Sequence, residues 1–130
     1  MKPELYYLVL TAAFTGLLWV PYILDRVMKW GLVPAVSYPS NPPAQSPWAE
    51  RMKKAHGNAV ENLVIFAALV LAAQDAGLSN SATATAAMVY FWARVVHAAA
   101  YTFAIPWVRT LAFTAGFLAY MTFAWQLLAR

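Results

Sequence analysis

The chain has 130 residues, 62% of them hydrophobic and 11% charged, against about 25% charged in an ordinary soluble domain. So short and apolar a chain makes a single domain, 1–130, and belongs in a membrane rather than around a small soluble core. It has no cysteine, which excludes a disulfide framework, a thiolate metal site and a protein thiol nucleophile. Its 2 histidines and 5 scattered carboxylates point to no metal centre. The net charge of +4 is expected to serve membrane topology and not nucleic-acid binding, because membrane proteins collect their cations in loops.

In chain order, Leu5–Leu24 is the first uncharged run long enough to span, with Tyr6, Tyr7, Trp19 and Tyr22 near its ends like an interfacial belt. Pro21 predicts a kink near its end. The run exceeds the roughly 7–15 residues of a signal-peptide core, and no small-residue cleavage site follows, so it is expected to stay as a helix. Gly31–Pro47 holds 5 of the 8 prolines and reads as an ordered or partly extended loop. Ser46-Pro47 then resembles an N-cap followed by proline in the first helical position. Ala55–Gln74 is the second span, Asp75–Asn80 a polar turn, Ser81–Pro106 the third span and Trp107–Leu128 the fourth. The expected architecture is all-α, an integral membrane four-helix bundle with helices over residues 4–29, 47–75, 81–105 and 107–129.

The cations set the expected orientation. Arg26, Lys29, Arg51, Lys53 and Lys54 flank the first loop and Arg109 the third connection, while the other side holds Lys2, Arg130 and the acidic Asp75. The positive-inside rule puts loops one and three in the cytoplasm and both termini outside.

Within this frame the polar residues form stripes. Arg51, Lys54, Asn58 and Glu61 are spaced i, i+3, i+7, i+10 along the second helix, and Arg94, His97 and Tyr101 are spaced i, i+3, i+7 along the third. The two helices run antiparallel from a turn between Gly77 and Leu78, so residues equidistant from it share a depth. Glu61 should then face Arg94, Asn58 face His97, and Lys54 face Tyr101. Glu61 and Arg94 lie about 20 Å from the turn, inside a hydrocarbon core of about 30 Å, where pairing would lower their cost. Arg109, opening the fourth helix, adds to a cationic pocket with few anions. Such a pocket calls for an anionic ligand.

Three segments carry a family resemblance: Arg51-Met-Lys-Lys-Ala-His56-Gly-Asn58-Ala-Val-Glu61-Asn62, then Arg94-Val-Val-His97-Ala-Ala-Ala-Tyr101, then Pro106-Trp-Val-Arg109-Thr110. In this order and spacing they resemble the MAPEG family, the membrane-associated proteins of eicosanoid and glutathione metabolism, in its bacterial type. The resemblance implies a homotrimer of four-helix subunits surrounded by membrane lipids, in a bacterial inner membrane. It also implies glutathione as cofactor, bound between subunits near the cytoplasmic side, and a lipophilic small-molecule substrate. By position, Arg51, Asn58, Glu61, Arg94 and Tyr101 resemble glutathione contacts, with Lys54, His56 and His97 beside them, and Arg109 resembles the arginine credited with activating the thiol. Lys54 stands where several catalytic relatives have arginine, which exchanges a bidentate fork for a point charge. Thr110 stands where a prostaglandin synthase has serine, so isomerase chemistry is not implied.

The implied chemistry suits these residues. Arginine forks match the carboxylates of glutathione. A cation beside a thiol lowers its pKa from about 8.5 and raises the thiolate fraction at neutral pH. The implied function is a glutathione-dependent transferase or peroxidase acting on lipophilic electrophiles. The alternatives are a non-catalytic ligand-binding or scaffolding member of the same family and a small multidrug transporter. The transporter is disfavoured because Leu5–Leu24 holds no carboxylate, Glu4 being terminal.

Overall fold

A computed structural model describes every residue, Met1–Arg130, as helices joined by short connections, with no strand. The helices are α1 (Pro3–Leu17), α2 (Trp19–Trp30), the single turn α3 (Leu32–Ala35), α4 (Pro47–Asp75), α5 (Ser81–Thr102) and α6 (Val108–Leu128). Three are long and apolar enough to cross a membrane: Pro3–Trp30 taken through its break, α4 and α6. They mark a membrane protein.

The remaining expected span, Ser81–Pro106, is a helix only to Thr102 and falls short of that apolarity. Thr83, Thr85, Arg94 and His97 dilute it. Its neighbours supply the physical answer, for α5 packs against α1, α4 and α6 together. Arg94, His97 and Thr83 are buried among them and do not face lipid. A polar helix at membrane depth is tolerated in such an enclosed position.

Local chemistry accounts for the boundaries. The break between α1 and α2 falls at Leu18, whose N–H bonds to Thr15 O at 3.3 Å. Pro21 lies just beyond it, and a proline ring crowds the carbonyl four residues back, here that of Leu17. α4 starts with Pro47 in its first position after Ser46, as the dipeptide suggests, but Ser46 does not cap the helix with its side chain. Its hydroxyl donates to Asp25 Oδ1 at 2.6 Å, and its N–H donates to Asp25 Oδ2 at 3.0 Å. Gln45 Nε2 adds a bond to Tyr22 O at 2.8 Å. The proline-rich loop is thereby pinned to α2. At the head of α5 a reciprocal capping box joins Asn80 and Thr83.

The apolar core is uneven. Its main cluster, with Phe66, Val70, Tyr90, Tyr120 and Phe123, fills the half of the molecule near the α4–α5 turn. Phe66 and Tyr90 stack with ring centroids 3.9 Å apart. The other half holds only a small cluster of Leu18, Ala59 and Ala98. Buried alanines at 55, 59, 86, 87, 93, 98, 112 and 119 recur along the helix contacts. Small residues let backbones approach closely, which matters where lipid removes the hydrophobic drive for helix association.

Candidate functional site

On α4 the buried row is Ala55, Ala59, Asn62, Phe66, Val70. The polar stripe runs beside this row and not along it. At about 100° per residue, Arg51 and Asn58 adjoin the buried row, while Lys54 and Glu61 turn about 60° further away from it. Arg51 and Asn58 are accordingly half-buried, and Lys54 and Glu61 exposed. Helix rotation separates residues that share a depth.

That rotation corrects the expected Glu61–Arg94 pair. Arg94 is 2% exposed, and its Nη2 donates to Asn58 Oδ1 at 2.6 Å, while Glu61 points out of the bundle. Asn58 therefore meets Arg94 and not His97. Asn62 Nδ2 in turn donates to Asn58 O at 2.9 Å and to Asn58 Oδ1 at 3.3 Å. Arg94 Nε has no protein partner.

Lys54 does not meet Tyr101 either. The neighbours of Tyr101 are His97, with ring centroids 5.8 Å apart, and Arg109, whose Cζ lies 4.7 Å from the Tyr101 ring centroid. That is a cation–π distance. His97 is buried and packs near Phe113 at 6.2 Å, with no protein partner on Nδ1. Arg51 Nε donates to Thr102 O at 2.9 Å, so a guanidinium closes the carbonyl end of α5, where the helix dipole favours a cation. His56 turns away to α2, its Nδ1 lying 2.7 Å from the Tyr22 hydroxyl.

Arg51, Tyr101, Trp107, Arg109 and Thr110 line one cavity of about 470 Å³, floored by Ala100, Ala104, Ile105 and Pro106. The connection that shapes it is tight. Trp107 has φ 68° and ψ −46°, and Val108 N–H bonds to Pro106 O at 2.7 Å across it. This is close to a classic γ-turn, a strained conformation that persists only when the surroundings impose it. It delivers Arg109 into the first turn of α6, where the helix N-terminus adds positive potential. On the other flank of the α5 end lies an apolar groove of about 500 Å³, walled by Phe14, Leu18, Pro21, Trp48, Met52 and Phe103 among others.

Every side-chain hydrogen bond from an arginine ends on an amide or carbonyl oxygen, none on a carboxylate. The cavity is therefore cationic, with room beside Arg109 for an anion of moderate size. Sequence reasoning passed over Asn62, which braces Asn58, and the Tyr22–His56 contact. A signal for Asn62 was present: an amide inside a row of alanine and phenylalanine needs partners.

A model of the MAPEG family matches residues 8–129 of the chain. No curated protein matches it.

Proposed function

Because the chain belongs to the MAPEG family, we propose that it is a glutathione-dependent transferase or peroxidase that turns the glutathione thiol on lipophilic electrophiles. The observation that carries this reading is Arg109, held at the mouth of helix α6 over the Tyr101 ring, beside Arg51 and a cavity with no carboxylate in its lining. A thiolate next to that guanidinium gains from the charge and from the helix N-terminus. With no cysteine in the chain, the sulfur nucleophile is the ligand's own.

One chain supplies the polar residues in two separate halves. The cavity holds Arg51, Tyr101 and Arg109, while Lys54 and Glu61 lie exposed on the outer face of α4. A homotrimer of four-helix bundles, in which one subunit's α4 face meets a neighbour's cavity, joins these halves into a complete glutathione site. It also gives the exposed intramembrane Glu61 a partner, the ligand's amine or a neighbour's cation. The apolar groove offers a place for a lipophile drawn from the bilayer. The cation-rich loops face the cytoplasm in this reading. Cysteine placed at Ser40 should then resist a membrane-impermeant label applied from outside while cysteine at Ser79 reacts, and the reverse pattern overturns the orientation.

The deciding experiment is thiolate absorbance in the ultraviolet on adding glutathione to purified protein. Wild type should form thiolate near neutral pH. Arg109→Ala should bind glutathione yet lose conjugation of a generic electrophile on the order of 10²-fold, as expected for a lost charge-stabilising group. The sign is fixed: removing the cation raises the thiol pKa, so the thiol limb of the rate profile moves to higher pH. Binding without thiolate favours a non-catalytic ligand-binding member. No binding at millimolar glutathione, or a monomer in mild detergent, overturns the reading.

A further inference from the structure

Asn62 occupies a position that an apolar residue would fill more cheaply. It is 9% exposed, in a row otherwise made of Ala55, Ala59, Phe66 and Val70. Burying a primary amide there costs free energy unless the amide is hydrogen-bonded. Its Nδ2 is bonded, to both the backbone and side-chain oxygens of Asn58.

Donor and acceptor logic then fixes the orientation of Asn58. A guanidinium has donors and no acceptor. The Asn58 side-chain atom 2.6 Å from Arg94 Nη2 is therefore the oxygen. A backbone carbonyl accepts only, so the Asn62 atom 2.9 Å from Asn58 O is its nitrogen. Both donors converge on one oxygen, which leaves the Asn58 NH₂ group turned the other way. Asn58 is half-buried, and that NH₂ group makes no bond within the chain. It sits on the polar stripe between exposed Lys54 and exposed Glu61.

We propose that Asn62 is a positioning residue: through Asn58 it holds Arg94 in place and aims the Asn58 NH₂ group outward as a donor for a carbonyl or carboxylate oxygen of the bound ligand. The inference rests on the proposed glutathione site and adds to it. Asn58 alone has two amide orientations of nearly equal shape, and only one presents a donor outward. Arg94 favours that orientation, and Asn62 adds a second donor from the same helix that the flipped amide would repel. A carbonyl-lined or carboxylate ligand is selected over one that presents donors at this point.

The test compares Asn62→Leu with Asn62→Gln in the full-length protein in detergent. Leu keeps the branched skeleton and removes the donor; Gln keeps the donor on a longer arm. With glutathione as the probe, Leu should weaken binding, and raise KM, by about tenfold, as for loss of a hydrogen bond to a charged network, with kcat little changed and thermal stability equal or higher. Gln should recover most of the affinity. A purely structural role predicts instead that Leu and Gln track thermal stability and leave KM unmoved, and that result overturns the proposal. The Asn58 side-chain NH₂ signals in ligand-free protein give a readout independent of glutathione. Wild type should show one sharp pair of NH₂ resonances, which shift and broaden in Asn62→Leu as the amide samples both orientations. If wild type binds no glutathione, the functional reading fails by itself. Unchanged Asn58 signals would then still refute the positioning role, and changed ones would uphold it.

Discussion

Glu4 and Arg94 are both buried ionisable side chains, and the chain treats them differently. Glu4, in the first turn of α1, reaches the α4–α5 turn, where Ser79 Oγ lies 2.8 and 3.2 Å from its two oxygens and Thr83 Oγ1 lies 3.0 Å from one of them. Thr83 is itself held in the capping box of α5. Arg94, further along α5, spends one nitrogen on Asn58 and finds no protein partner for Nε. The main apolar cluster packs at the Glu4 end, and the cationic cavity opens at the other. At the Glu4 end the buried carboxylate finds its partners within the chain. At the other end Arg51 and Arg94 meet only carbonyl and amide oxygens of the chain, which is what the proposed site between subunits requires.

The sharpest way to break this comparison is to ask what Arg94 is coupled to. A double-mutant cycle on Asn58→Ala and Arg94→Met should return an interaction of about 1.5–3 kcal/mol, the range for a hydrogen bond to a charged group. A cycle on Glu61→Gln and Arg94→Met should return close to zero in protein held monomeric. Both cycles are read from unfolding in mixed micelles. Strong Glu61–Arg94 coupling in the monomer would restore the paired arrangement and remove the argument for an open cationic end. Coupling that emerges only in the oligomer would sharpen it, because Glu61 then finds its cation on a neighbour.

The same pair shows how far sequence carries. Depth follows from counting residues to the turn, and it brings the α4 and α5 stripes to one end of the bundle, where Asn58 meets Arg94 and Arg51 meets Thr102. Rotation about the helix axis is set by packing, and equal depth says nothing of it. Glu61 and Asn62 are adjacent in sequence, yet the buried row takes Asn62 and leaves Glu61 outside. Ser46-Pro47 marked the start of α4 because proline in the first helical position is a local preference. The partner of Ser46 was hidden because Asp25 lies across a loop that must fold first. The helical break moved to Leu18 for a comparable reason: Pro21 perturbs the backbone preceding it, so the kink lies on its N-terminal side. Glu4 is terminal by its place in the chain, yet it is buried in three dimensions.

The smaller effect is expected at the Glu4 end, and there it should concern stability alone. Glu4→Ala removes the acceptor for the Ser79 and Thr83 hydroxyls. Thr83 is buried but keeps Asn80 O as an acceptor at 3.0 Å, while Ser79 is exposed and can turn to solvent, so neither hydroxyl is stranded and the cost is that of ordinary hydrogen bonds. Relief of a buried carboxyl offsets part of it. The net loss should be about 0.5–1.5 kcal/mol in unfolding measurements. Glutathione affinity should stay at its wild-type value, because the main apolar cluster and most of the length of α5 separate Glu4 from Arg109. A Glu4→Ala protein that unfolds as wild type does but loses ligand would reverse the assignment. The N-terminal carboxyl would then belong to function, and the contrast between the two ends would have to be abandoned.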